Sequence, residues 1–197
     1  MSIKLSIMSI WIPEFILIKE LERTSYIINE HLDNLLGRYS ISRTTTGKLL
    51  KGNLNERRAR MAIGQNLRGE ALIKALGFDK ACELGRIEMF NAGYKLGREA
   101  QKRLGVGKNI QDTLIAAKIL YKVLGINFTV ETHNKNFILR VESCALASHY
   151  SPETCKIMSA ADEGVLKGLN NNMSMKFIKR ITEGSEECTA CINIGDL

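Results

Sequence analysis

The hydrophobic period of this chain changes once, at Gly125, and that change limits the folds open to it. Upstream, apolar residues recur every three to four positions. Phe15, Ile18, Leu21, Ile28, Leu32, Leu35 and Leu36 mark one helix over 14–36. Two more are expected over 56–76 and 80–104, closed by Gly77 and Gly105, with Asn55 and Asp79 as their caps. A fourth, capped by Asn109, spans 110–124 and ends at Gly125. Downstream the period becomes two. Ile126, Phe128 and Val130 alternate with polar neighbours, and so do Phe137, Leu139 and Val141 after the turn His133-Asn134-Lys135-Asn136, which predicts a hairpin. Ser151 and Pro152 then open a helix to about 168. Met175, Phe177 and Ile178 begin a third strand, Gly184–Glu187 turn the chain, and Cys188 to Ile194 form a fourth. The expected class is α+β: a helical N-terminal half, then a small four-stranded antiparallel sheet with an inserted helix.

The chain of 197 residues suits one domain with an added helical arm. The polar stretch 38–53 reads as a connector, so residues 1–53 are expected to form an arm and connector and 54–197 the α+β domain. Residues Met1 to Ile18 are apolar but broken by Lys4, Pro13 and Glu14. A buried first helix or a partner-binding arm explains them better than a signal peptide or a membrane span. The expected location is the cytoplasm.

A net charge of +7 favours anionic partners, but there is no run of five like charges and no basic tail, so a nucleic-acid surface is not expected. Arg57, Arg60 and Arg68, three and eight apart, can share a helix face that would hold a carboxylate or phosphate ligand. Against this stands the commoner solvated face. Gly93 and Gly97, with Ala92 and Ala100 nearby, make a flat strip on one helix. Glycine costs up to ~1 kcal/mol per helical site, so the strip needs a packing reason, which is tight packing within the chain or a homodimer seam.

The five cysteines are an odd count, and in a reducing compartment such residues point to metal, redox chemistry or catalysis. Cys144 closes the second strand, Cys155 lies in the first turn of the following helix, and Cys188 opens the last strand. The three are expected to converge, with a helix-terminal thiolate at Cys155. Cys191 completes a CxxC with Cys188, but strand parity sends the two to opposite faces. His149, between Cys144 and Cys155, is a candidate fourth ligand or general base. Asp162, two turns along from Cys155, can face the same pocket. Inert buried thiols are the plain alternative.

Residues 89–193 resemble the 4-vinyl reductase domain family, part of a superfamily with vesicle-tethering subunits and haem nitric-oxide-binding domains. The resemblance is carried by Gly93 and Gly97, Gly125, Cys144, Cys155, Gly164 and Leu166, and by Gly184 four before Cys188. It implies a small-molecule-binding module whose Cys144, Cys155 and Cys188 hold zinc or sense redox state. Two departures stand out: Arg180 occupies a position where the family often has a further cysteine, and Cys191 is an extra. A competing resemblance is to the L-2-amino-thiazoline-4-carboxylic acid hydrolase family, through the helical N-terminal half and the late cysteines. It implies a cysteine-dependent hydrolase with Cys155 as nucleophile and His149 as base. The apolar N-terminal arm and the Gly93/Gly97 strip suit a third role, an assembly or tethering subunit.

Overall fold

The structure is a computed structural model, and it describes residues 3–42, 50–133 and 136–195. Helices α1 (Ile3–Ile10), α2 (Glu14–Arg38), α3 (Leu54–Leu76), α4 (Phe78–Leu104) and α5 (Ile110–Leu124) precede strands β1 (Ile126–His133) and β2 (Asn136–Cys144). Helix α6 (Pro152–Leu169) then leads to β3 (Met173–Lys179) and β4 (Cys188–Ile194). The class is α+β, as the change of period predicts. Residues 43–49 of the connector and 134–135 of the hairpin turn lie outside the described residues.

Local chemistry accounts for most of the element ends. Asn109 accepts from the Gln111 N–H to cap α5. Ser151 accepts from the Thr154 N–H ahead of Pro152, which needs no hydrogen-bond partner at a helix start. Gly105 and Gly125 take the left-handed C-cap, with φ near 69° at both. Two expected caps are corrected. Asn53, not Asn55, caps α3, in a capping box with Glu56, and Gly77 stands where Asp79 was expected to cap α4.

The sheet runs in the order β1-β2-β4-β3, every neighbouring pair antiparallel. β2 and β3 therefore run parallel with β4 between them, and α6 is the crossover that joins them. One sheet face is apolar: Phe128, Leu139, Val141, Phe177, Ala190 and Ile192 are buried against the helices. The same core takes in Leu5 from α1, Leu17 and Leu21 from α2, and Met61 from α3. Further along α2, Ile27, Ile28 and Leu32 pack with Met89 of α4 and Ile157 of α6. The N-terminal helices are thus built into the same body as the sheet.

The glycine strip is used inside the chain. A Cβ on Gly93 would stand 1.9 Å from the carbonyl oxygen of Ala161, and one on Gly97 would stand 2.3 Å from that of Val165. The fit is reciprocal, because a Cβ on Gly164 or Gly168 of α6 would stand 2.1 or 2.4 Å from the carbonyl oxygen of Phe90 or Tyr94. Four glycines let α4 and α6 touch backbone to backbone. Of the two readings of the Gly93/Gly97 strip, packing within the chain is the one this contact uses, and the strip is not free to form a dimer seam.

Candidate functional site

Where α6 crosses the apolar sheet face it leaves a cavity of about 110 Å³. Its walls come from every layer. α2 and α3 give Thr24, Ile28, Met61 and Gln65, and α5 gives Tyr121 and Leu124. The sheet gives Val141, Phe177 and the element-end cysteines Cys144 and Cys188. α6 gives Cys155, Met158, Ser159, Asp162 and Val165. Three of these follow from spacing: Cys155, Met158 and Asp162 lie three and four apart on one face of α6. Cys188 pairs with Val141 across the sheet, on the cavity side. Cys191 pairs with Ile138 and Lys176, and it is absent from the cavity walls, as strand parity predicts.

The three cysteines and Asp162 thus reach one cavity, but the cavity does not favour the thiolate expected at Cys155. Burial pushes the Cys155 thiol up despite its place in the first turn of α6. It does the same to Cys188 and raises Cys144 to about 11. Desolvation outweighs the helix dipole here, because the apolar cavity offers a thiolate little solvation. The expected Cys155 thiolate is therefore corrected to a neutral thiol. The Cys188 sulfur accepts the Ile181 N–H at 3.3 Å.

Asp162 is the acidic group of the cavity. Its carboxyl is raised to about 7, mainly by burial, with the nearby Tyr121 hydroxyl working in the opposite direction. Asp162 is half-buried and lines the cavity. Tyr121 is held edge-on to Phe128, ring centroids 4.9 Å apart, and burial moves its hydroxyl well above the ordinary phenol value. That hydroxyl makes no hydrogen bond of good geometry among the described residues. The Thr182 hydroxyl, also on the cavity wall, makes none either. Tyr150 donates from its hydroxyl to Gln65 Oε1, a bond that ties the wall between α3 and the 3-10 turn Ala147–His149.

Arg180 is the cavity's cation. Its guanidinium lies over the Phe177 ring at 5.7 Å, donates to Ser159 Oγ at 3.1 and 3.3 Å, and has Glu183 at 3.5 Å. Among the described residues, no three His, Cys, Asp or Glu are grouped to hold a metal ion.

The other predicted site residues are placed elsewhere. His149 ends its 3-10 turn and is not among the cavity-lining residues, so the Cys155–His149 arrangement of the hydrolase reading is not assembled at the cavity. Arg57 and Arg68 do not line the cavity either. Arg57 pairs with Glu22, and Arg68 pairs with Asp33 at 2.8 Å, both across the α2–α3 contact. Arg60 is exposed. Arg57 and Arg68 thus bridge α3 to α2, away from the cavity. His31 pairs with Glu88 at 3.2 Å. The polar cavity residues that sequence reading missed include Tyr121, Gln65 and Tyr150. Tyr121 sits in an apolar helical pattern, where a tyrosine looks like any core residue.

No family model matches the chain, and no curated protein does. Solved structures do share the fold. One is a trafficking protein particle complex subunit 3 from Naegleria fowleri, covalently bound to palmitic acid; it is 15% identical, covers 71% of this chain and 95% of its own, and has a TM-score of 0.52. Another is the phenol-responsive sensory domain of the transcription activator PoxR with phenol; it is 16% identical, covers 85% and 90%, and has a TM-score of 0.51. A looser one, at a TM-score of 0.40 and 11% identity, is an H-NOX protein from S. oneidensis. The chain has the fold common to these trafficking-complex and sensory-domain structures. No described helix is long and apolar enough to cross a membrane.

Proposed function

We propose that this chain is a small-molecule-binding module whose ligand is a single apolar ring held between α6 and the sheet. The observation that carries the reading is the cavity itself. At about 110 Å³ it is of the order of the roughly 150 Å³ apolar cavity that takes up benzene in an engineered protein. Its walls are largely apolar side chains with a few polar groups set among them, the pattern of a site that binds a small organic molecule. The phenol-bound sensory domain of PoxR, alike in fold, supports the same reading. The cavity is too small for a long acyl chain in the form described, so the fatty-acid complex of the trafficking subunit supports it less.

The test is calorimetric titration of the whole chain with three single-ring probes, toluene, phenol and benzoate. At least one is expected to bind at one site per chain. Val165→Trp, which fills the cavity from α6, is expected to abolish that binding while the far-ultraviolet circular dichroism stays unchanged. Failure of all three probes to bind would end the reading, as would binding that survives the filled cavity.

A further inference from the structure

The cavity has a polar end with unused hydrogen-bonding capacity. Tyr121 is 4% exposed, its ring is fixed against Phe128, and its hydroxyl, beside the Asp162 carboxyl, makes no hydrogen bond of good geometry among the described residues. A buried hydroxyl without a well-formed hydrogen bond is costly, so it marks a place where a better partner fits. Next to it stands the Asp162 carboxyl, one helical turn from Met158 on the cavity side of α6. We propose that Tyr121 and Asp162 are the recognition pair of this cavity and select a ring that carries a neutral hydroxyl group. This rests on the ligand-binding reading above and adds the chemical class of the ligand.

The donor and acceptor roles decide the class. A hydroxyl both gives and takes a hydrogen bond. The ligand oxygen accepts from Tyr121 Oη–H, and the ligand O–H donates to the Asp162 carboxylate, a charge-assisted bond. A bare ring leaves Tyr121 and Asp162 with only their poorly aligned contact to each other in an apolar cavity. A carboxylate ligand meets the ionised Asp162, and the cation that would answer it is already engaged. Arg180, 6% exposed, gives its donors to Ser159 Oγ and faces Glu183. A protonated amine meets the Arg180 charge in the same cavity and finds no use for the Tyr121 donor. The other charged and titratable groups near Asp162 are Glu163, which pairs with Arg86 at 2.7 Å, Tyr150, whose hydroxyl donates to Gln65, and the thiols of Cys144, Cys155 and Cys188, all pushed up by burial.

The test compares phenol, toluene and benzoate by calorimetry at pH 8, on the wild-type chain and on Asp162→Asn and Tyr121→Phe. Phenol is expected to bind the wild type at least about tenfold more tightly than either other probe, a difference of about 1.4 kcal/mol. Each variant is expected to lose most of that preference while its affinity for toluene stays within about threefold, which shows that the cavity is intact. Equal affinity for phenol and toluene in the wild type would overturn the proposal. So would a phenol preference that survives both substitutions, or tightest binding of benzoate. In each of those results a ring still binds, so the ligand-binding reading stands. If no probe binds, that reading fails first.

Discussion

Substituting Gly93 by Ala sets two effects of opposite sign against each other, and the structure says which wins. Alanine is the better helix former, a gain of up to about 1 kcal/mol at a mid-helix glycine. The new methyl, however, would stand 1.9 Å from the Ala161 carbonyl oxygen, where even a close C–H···O contact needs about 3.3 Å. The obstructing atom is backbone, so no side-chain rotation relieves the clash. α4 and α6 must separate by more than 1 Å (roughly 3.3 minus 1.9), and that also loosens the contacts at Gly97, Gly164 and Gly168. Overpacking typically costs about 1–3 kcal/mol, and a backbone clash between two long helices lies at or above the top of that range. The net expectation is a loss of about 2 kcal/mol or more, equivalent to a melting temperature lower by roughly 4–8 °C in a chain of this length. Chemical denaturation of wild type, Gly93→Ala and Gly107→Ala measures it. Nothing lies within 4 Å of a Cβ at Gly107, so that variant is expected to match wild type or gain up to about 1 kcal/mol. A Gly93→Ala chain as stable as wild type, or more so, would refute the account of α4 against α6.

Asp162 gives a pH dependence with a definite sign. Its carboxyl is raised from 3.8 to about 7 in the folded chain, so between those values the native state holds a proton that the unfolded state has lost. Its contribution to stability is then greatest below pH 4 and is lost as pH rises to 7, with a slope of up to about 1.4 kcal/mol per pH unit. Asp162→Asn is expected to flatten that part of the stability profile, and an unchanged slope would count against the buried carboxyl. Arg58 donates from Nε to the Val123 carbonyl at 2.9 Å and from Nη2 to that of Lys122 at 2.6 Å, securing the last turn of α5. Arg58→Met is expected to cost about 1–3 kcal/mol in denaturation, because it orphans these carbonyls; no loss would show them reached by water. The Cys155 thiol, raised by burial, is expected to react with iodoacetamide at pH 7 more slowly than an unhindered peptide cysteine and to speed up as pH rises above 9. Fast alkylation at pH 7 would mean that the thiolate is stabilised after all.

The sequence carries the fold through two periods and their punctuation. Asn109, Ser151-Pro152 and Gly125 act within a few residues of themselves, so their roles can be read without tertiary structure. The convergence of Cys144, Cys155 and Cys188 was legible for a related reason: each stands at the end of an element, and successive elements of one sheet return to the same edge. What could not be read was which neighbour covers each helix face. Arg57 and Arg68 have a spacing that fits an anion site, but α2 lays Glu22 and Asp33 against them. The Gly93/Gly97 strip is equally suited to a second chain or to α6, and only the packing of α6 decides. A thiolate at Cys155 is the sequence expectation because the helix dipole is visible in sequence, whereas the apolar cavity that opposes it is assembled from eight other helices and strands. Tyr121 differs from a core tyrosine in that its hydroxyl stands beside the Asp162 carboxyl without a well-formed hydrogen bond, and that is a property of the folded chain alone.

The central claim is that Cys144, Cys155 and Cys188 share one ligand cavity from which Cys82 and Cys191 are absent. Site-resolved alkylation by N-ethylmaleimide, followed by peptide mass spectrometry with and without saturating phenol, tests it directly. Phenol is expected to slow labelling of Cys144, Cys155 and Cys188 together and to leave Cys82 and Cys191 unchanged. Protection of all five alike, or of Cys191 in place of Cys188, would contradict the account.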